Sequence, residues 1–130
     1  MIIRIDFKSE TPIYLQLSNQ IIENIANGNL KPGEEVPSIR SLAADLGINM
    51  HTVNKAYSLL KQKGLLTMHN SRGIVATGSH IAEDEKNMSS VKKALRPIIA
   101  ESICYGFTNI QLKEIIDELY KDIKGGKVDE

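Results

Sequence analysis

Tryptophan is missing from this 130-residue chain, phenylalanine occurs twice, and cysteine once. Each shortage excludes something. A lone cysteine, Cys104, cannot build an internal disulfide framework and points to a reducing compartment. With aromatics at 5% of residues, the core must be aliphatic, made of Ile, Leu, Val and Ala. Apolar runs are only a few residues long, far short of the roughly 20 needed to cross a bilayer. The opening residues, MIIRIDFKSE, carry charge early and contain no apolar stretch of signal-peptide length. The expected location is therefore the cytoplasm, with no membrane partner. There is no Ser/His/Asp arrangement, Gly-rich phosphate loop or pair of catalytic carboxylates at workable spacing, so an enzyme is not expected. The three histidines, His51, His69 and His80, fit no compact ligand pattern and have no cysteine beside them. Neither a metal nor a cofactor is expected.

What is present is a soluble composition, 42% hydrophobic and 25% charged, with a formal net charge of zero. That zero is an average. Residues 1–80 carry 8 Lys+Arg against 6 Asp+Glu, and residues 81–130 carry 8 against 10. Between Asp45 and Glu83 there is no acidic residue, while Lys55, Lys61, Lys63 and Arg72 all fall inside that window. A surface that approaches nucleic-acid phosphates needs such a window, because a carboxylate there would be repelled.

Residues 2–7 are β-branched and alternate crudely, which predicts a short strand or an extended arm. Thr11-Pro12 opens a helix, with Pro12 read as its first residue. Ile13, Leu17, Ile21 and Ile25 recur along one face until Gly28 ends it. Lys31-Pro32-Gly33 reads as a turn. Ser38 is a good N-cap for a helix whose apolar face is Ile39, Leu42, Ala43 and Leu46, and Gly47 stands where φ > 0 is needed. Asn49 can cap the next helix, with Val53, Ala56, Tyr57 and Leu60 facing inward and Gly64 stopping it. Two short helices joined by a tight glycine turn make a helix-turn-helix. Leu65–Met68, a turn over Asn70–Gly73, and Ile74–Thr77 then read as a β-hairpin wing. Gly78-Ser79-His80 reads as a linker.

From about Ala82 the pattern returns to helix, with Pro97 predicted to kink it. Met88, Val91, Leu95, Ile98, Ile99, Ile103 and Phe107 mark one face. Thr108 caps a last helix with Leu112, Ile115, Ile116, Leu119 and Ile123 on its apolar side. Cys104 lies on the apolar side and reads as a small core residue, and the terminal GGKVDE as frayed. The fold class is thus mainly α with a small β-wing. A winged helix-turn-helix domain over residues 1–80 precedes a two-helix appendage over 81–130.

The second helix of the motif carries the functional signal. Met50, His51 and Thr52 form its first turn, and Asn54, Lys55 and Ser58 lie opposite the inward face. Short polar and basic groups at a helix N-terminus suit base edges and phosphates in a major groove. Several runs resemble the GntR family of bacterial regulators. They are Pro12-Ile13-Tyr14-Leu15-Gln16-Leu17, Gly28-Asn29-Leu30-Lys31-Pro32-Gly33 and Pro37-Ser38-Ile39-Arg40-Ser41-Leu42-Ala43, followed by Leu46-Gly47-Ile48, Thr52-Val53-Asn54-Lys55-Ala56-Tyr57 and Gly64-Leu65-Leu66. The likeness covers about residues 10–77, and the short tail resembles that of the YtrA subfamily, whose two-helix appendage dimerises.

The resemblance implies that Arg40 reaches DNA from the first helix of the motif, next to Ser38. It also implies that Asn49, Met50, His51, Thr52 and Asn54 work at the recognition helix, where the outward Lys55 joins them by its position, and His69, Asn70 and Ser71 at the wing tip. Two departures stand out. Met50-His51 replaces a Pro-Asn pair common in the subfamily, and the wing lacks the first of its usual glycines, leaving Arg72 to supply a contact. Both point to an altered operator. Alternatives stay open for single residues: Arg40 could pair with Asp45, and Met50 could pack on the wing or touch a thymine methyl. The tail stripe of Val91, Leu95, Ile98, Ile99, Ile103, Phe107, Leu112, Ile115, Ile116 and Leu119 either folds back as core or buries itself against a second chain. The leading expectation is a repressor that binds an inverted-repeat operator in double-stranded DNA as a homodimer. The alternative is a winged-helix module that docks a protein, with incidental DNA affinity. No residue signature identifies a small-molecule effector.

Overall fold

The computed structural model describes residues 1–70, 72–76 and 84–126. The chain divides into two compact units, residues 1–77 with the chain end from Ile123, and residues 78–122.

In the first unit, α1 (Ile13–Ala26), α2 (Ile39–Leu46) and α3 (Met50–Gln62) precede β1 (Leu66–His69) and β2 (Arg72–Val75). Pro12 is the N-cap of α1 rather than its first residue, because its ψ of 144° is extended. Its carbonyl accepts from the N–H groups of Leu15 and Gln16. Asn27 closes α1 and Gly28 follows with φ of 86°, a conformation that a side chain would strain. Both helices of the motif start on the caps expected of them. Ser38 Oγ accepts from Ser41 N–H at 3.1 Å, and Asn49 Oδ1 accepts from His51 N–H at 2.7 Å. Gly47, at φ 67° and ψ 36°, provides the left-handed residue that turns one helix into the next.

The core draws on every element of this unit. Leu17 and Ile21 of α1, Leu42 and Ala43 of α2, and Val53, Ala56, Tyr57 and Leu60 of α3 are buried with Leu30, Val36, Leu66 and Val75. Ser18 and Asn24 are buried polar residues of α1, and each donates to a carbonyl one turn back, Leu15 and Gln20 respectively. No polar side chain among the described residues is left buried without a partner.

The wing pairs Leu66 with Val75, Thr67 with Ile74, Met68 with Gly73 and His69 with Arg72. The returning strand therefore starts at Arg72, two residues before the expected Ile74, and the connection shrinks to positions 70 and 71. Asn70 adopts φ of 49°, as short hairpin loops demand. A third extended segment, unanticipated from sequence, lies on the other edge of β2. Val36 N–H donates to Gly73 O, Gly33 N–H to Val75 O, and Val75 N–H to Glu34 O, with Glu35 bridged to Ile74. This explains Gly73 better than a turn does. A Cβ there would sit 2.7 Å from Val36 Cγ2, so the glycine admits the neighbouring segment.

The N-terminal residues form an extended arm, not a strand. Side-chain amides of α1 stand in for a strand partner. Gln20 accepts from Arg4 N–H at 2.8 Å and donates to Arg4 O at 2.6 Å, while Gln16 does the same for Asp6 at 2.9 and 3.0 Å.

The second unit is built from α4 (Asp84–Cys104) and all but the last two residues of α5 (Asn109–Lys124). α4 continues through Pro97. Thr108 caps α5 as expected, and the cap is reciprocal. Gln111 N–H donates to Thr108 Oγ1 at 3.2 Å, and Thr108 N–H donates to Gln111 Oε1 at 2.8 Å. Cys104 is exposed, which corrects its reading as core. A two-helix unit has no third layer to cover a side chain in the last turn of α4. The linker reading at Gly78-Ser79-His80 and most of the frayed terminus lie outside the described residues.

Candidate nucleic-acid interface

The starts of α2 and α3 meet, and together they shape one concave surface lined by Ser38, Ile39, Arg40, Asn49, Met50, His51 and Asn54. All but Ile39 are exposed, and no carboxylate is among them. The nearby acids are gathered elsewhere. Glu34, Glu35 and Asp45 line a separate concavity with Met1, Ile3, Leu30 and Pro37. Arg40 is consequently not paired with Asp45; the one ion pair among the described residues lies on the wing.

Buried polar chemistry sets the mutual position of the two helices. The Tyr57 hydroxyl, from the inner face of α3, donates to Pro37 O at 2.6 Å, just before the Ser38 cap of α2. Burial pushes this phenol up to about 12, so it stays a donor throughout the physiological range. From the sequence Tyr57 is only a core residue; the spacing of 20 residues to Pro37 leaves no local sign of the bond.

Thr52 and Lys55 sit outside the concavity. Thr52 is half-buried. Lys55 is exposed but engaged, with Nζ 4.0 Å from the centroid of the Tyr14 ring on α1. This cation–π contact limits where the ammonium can reach. Tyr14 thereby joins the site, although in sequence it only widens an apolar stripe.

None of the wing residues lines the α2–α3 concavity. His69 and Arg72 face each other across the hairpin and are exposed, as is Asn70. Ser71 lies outside the described residues. Arg72 Nε is 3.5 Å from Glu35 Oε1. The acid-free window in the sequence is thus not acid-free in space: the 33–36 segment carries a carboxylate to the wing.

In the second unit, Val91, Leu95, Ile98, Ile99, Ile103, Phe107, Ile115, Ile116 and Leu119 are all exposed, and Leu112 is half-buried. No helix among the described residues is long and apolar enough to cross a membrane. No group of three or more His, Cys, Asp or Glu among them could hold a metal ion. His80 lies outside them.

This arrangement of capped helices and wing coincides with a known pattern. Residues 13–75 match the model of "Bacterial regulatory proteins, gntR family". The HTH-type transcriptional repressor YtrA of Bacillus subtilis is 36% identical over 126 residues, spanning 96% of this chain and 97% of that one. The chain belongs to the GntR family. Its likeness to the subfamily with short tails runs over nearly the full length, well beyond the winged helix. A solved GntR-family transcription factor, YtrA from Sulfolobus acidocaldarius, is 45% identical with a TM-score of 0.64, covering 80% of this chain and 99% of its own. A transcriptional antiterminator from Listeria monocytogenes superposes with a TM-score of 0.85 at 30% identity, covering 100% and 98%. As a GntR-family member with this winged helix, the chain is a DNA-binding transcription regulator.

Proposed function

We propose that this GntR-family protein is a cytoplasmic repressor that binds an inverted-repeat operator as a homodimer, with residues 1–80 on DNA and residues 81–130 holding the dimer. One observation carries the DNA half. The starts of α2 and α3 bring Ser38, Arg40, Asn49, Met50, His51 and Asn54 onto one exposed, carboxylate-free concavity. Arg40 makes no ion pair among the described residues, and its guanidinium is suited to a phosphate or a guanine edge. Asn49 and Asn54 offer amides, His51 an imidazole, and Met50 an apolar contact for a thymine methyl. Thr52 and Lys55 flank this surface, and Lys55, steadied on Tyr14, suits a backbone phosphate. The wing adds His69, Asn70, Ser71 and Arg72.

The exposed apolar side chains of α4 and α5 support the dimer. Val91, Ile98 and Ile103 on α4 and Ile116 and Leu119 on α5 are each more than half exposed, so the chain alone leaves a broad apolar face in water. A second copy covers it and sets two recognition helices about 34–36 Å apart, one DNA turn.

The test is a fluorescence-anisotropy titration of a duplex from the protein's own upstream intergenic region, beside a scrambled duplex, at two salt concentrations. The expected result is preference for the native duplex, weakening as salt rises. Arg40→Ala should cost about 1–3 kcal/mol of operator affinity with the fold intact, and Lys55→Ala should reduce the salt slope by about one contact. Equal weak binding to both duplexes, unchanged by Arg40→Ala, would refute the assignment.

A further inference from the structure

The Arg72–Glu35 pair on the wing, joined by no other ion pair among the described residues, is unexpected for a DNA-facing hairpin. Arg72 opens β2, and Glu35 comes from a segment 37 positions earlier that lies along the other edge of that strand. The backbone bridge from Glu35 to Ile74 and the Val36–Gly73 hydrogen bond hold the Glu35 backbone beside the wing, within side-chain reach of Arg72. Glu35 Oε1 stands 3.5 Å from Arg72 Nε, with the side chains 53% and 69% exposed. A carboxylate presents a guanidinium with the same chemistry as a phosphate: anionic oxygens for N–H donors.

We infer that Glu35 is a positioning residue that acts as an intramolecular phosphate mimic, occupying Arg72 in the free protein so that DNA must displace it before the wing engages. The inference rests on the DNA reading above. No bond is made or broken beyond the exchange of one anionic partner for another. Because phosphate contacts carry no sequence information, the exchange lowers affinity for native and scrambled duplexes alike. Its effect is a uniform brake on DNA affinity, built into the wing by the extra strand segment.

The test is a double-mutant cycle on the full-length protein, using native and scrambled duplexes at two or more salt concentrations. Glu35→Gln keeps size and hydrogen bonding while removing the charge. It should tighten both duplexes about twofold to fivefold, the range expected for an exposed ion pair. In an Arg72→Gln background, Glu35→Gln should change affinity by less than about twofold, because the mimic then has nothing to hold. Glu35→Asp, which keeps the charge, should stay near wild type. Equal tightening in both backgrounds would overturn the inference, since Glu35 would then be repelling DNA directly. No tightening at all, with Glu35→Gln folded and salt-sensitive in binding, would overturn it as well. A wild-type chain that binds neither duplex at low salt would instead refute the DNA reading and, with it, this inference.

Discussion

Replacing Tyr57 with phenylalanine removes one oxygen, and the structure says what that oxygen does. The side chain is 1% exposed, and its hydroxyl donates to Pro37 O at 2.6 Å. Tyr57→Phe removes that hydrogen bond, worth about 0.5–1.5 kcal/mol net because Pro37 itself is exposed and its carbonyl can turn to water. A second consequence appears at high pH. The phenol titrates near 10.0 when solvated and at about 12 in the folded chain, raised by burial. The unfolded chain therefore loses its proton first. The stability owed to the neutral phenol is fully present below pH 10 and is lost as pH rises towards 12. At about 1.4 kcal/mol per pH unit, that loss reaches about 2.7 kcal/mol over the two units. The variant has no phenol here, so its stability escapes this slope. Urea unfolding followed by circular dichroism, at fixed protein concentration and at steps from pH 7 to 11.5, reads both effects. Every other group is common to both proteins and cancels in the difference. The wild-type chain should lead at pH 7 and lose that lead above pH 10. A Tyr57→Phe protein as stable as wild type at pH 7, with a difference independent of pH, would refute the argument. Because Pro37 precedes the α2 cap, the same variant should also bind operator more weakly.

Gly73→Ala places a methyl group 2.7 Å from Val36 Cγ2, and overpacking of this kind costs about 1–3 kcal/mol. The loss should show in thermal unfolding, and faster amide exchange at Val36 should report the loosened strand segment. Asn49→Ala removes the acceptor for His51 N–H at the start of α3 and should cost about 1 kcal/mol, readable as a lower urea midpoint with an unchanged m-value. Asn49→Ser should recover most of it. Ile98 is 57% exposed, so Ile98→Asp sacrifices little packing within the chain. Sedimentation should nevertheless show a dimer turned monomer, with operator affinity falling steeply. A dimer of undiminished stability would exclude this face of α4 from the interface.

Several features were legible because their causes are local. Ser38 and Asn49 cap helices through bonds to groups two or three residues away, and Gly47 and Gly64 stop them by entering a left-handed conformation open to glycine. The spacing of Val53, Ala56, Tyr57 and Leu60 defines the inner face of α3, and with it the outer face carrying Asn54 and Lys55. Thr108 announced α5 in the same way, although its reciprocal partner Gln111 went unread. The structure departs from the pattern in two ways. Pro12 and the start of β2 moved by one or two residues, which helix and strand ends do readily. Cys104 is exposed despite its apolar stripe, because a stripe says which side chains share a face and not whether anything covers it.

Sequence by itself, then, determined the order of helices and wing, their caps, and the membership of the recognition helix's two faces, since these depend on contacts within a turn or a hairpin. Only the tertiary structure decided which distant residues meet. Tyr57 reaches Pro37, Lys55 reaches Tyr14, Gln16 and Gln20 hold the arm, and Glu35 arrives beside Arg72. Each of these joins residues 10 to 41 positions apart. Such pairs leave no periodicity in the chain, because their proximity comes from the way the core closes and from no local preference of the residues themselves.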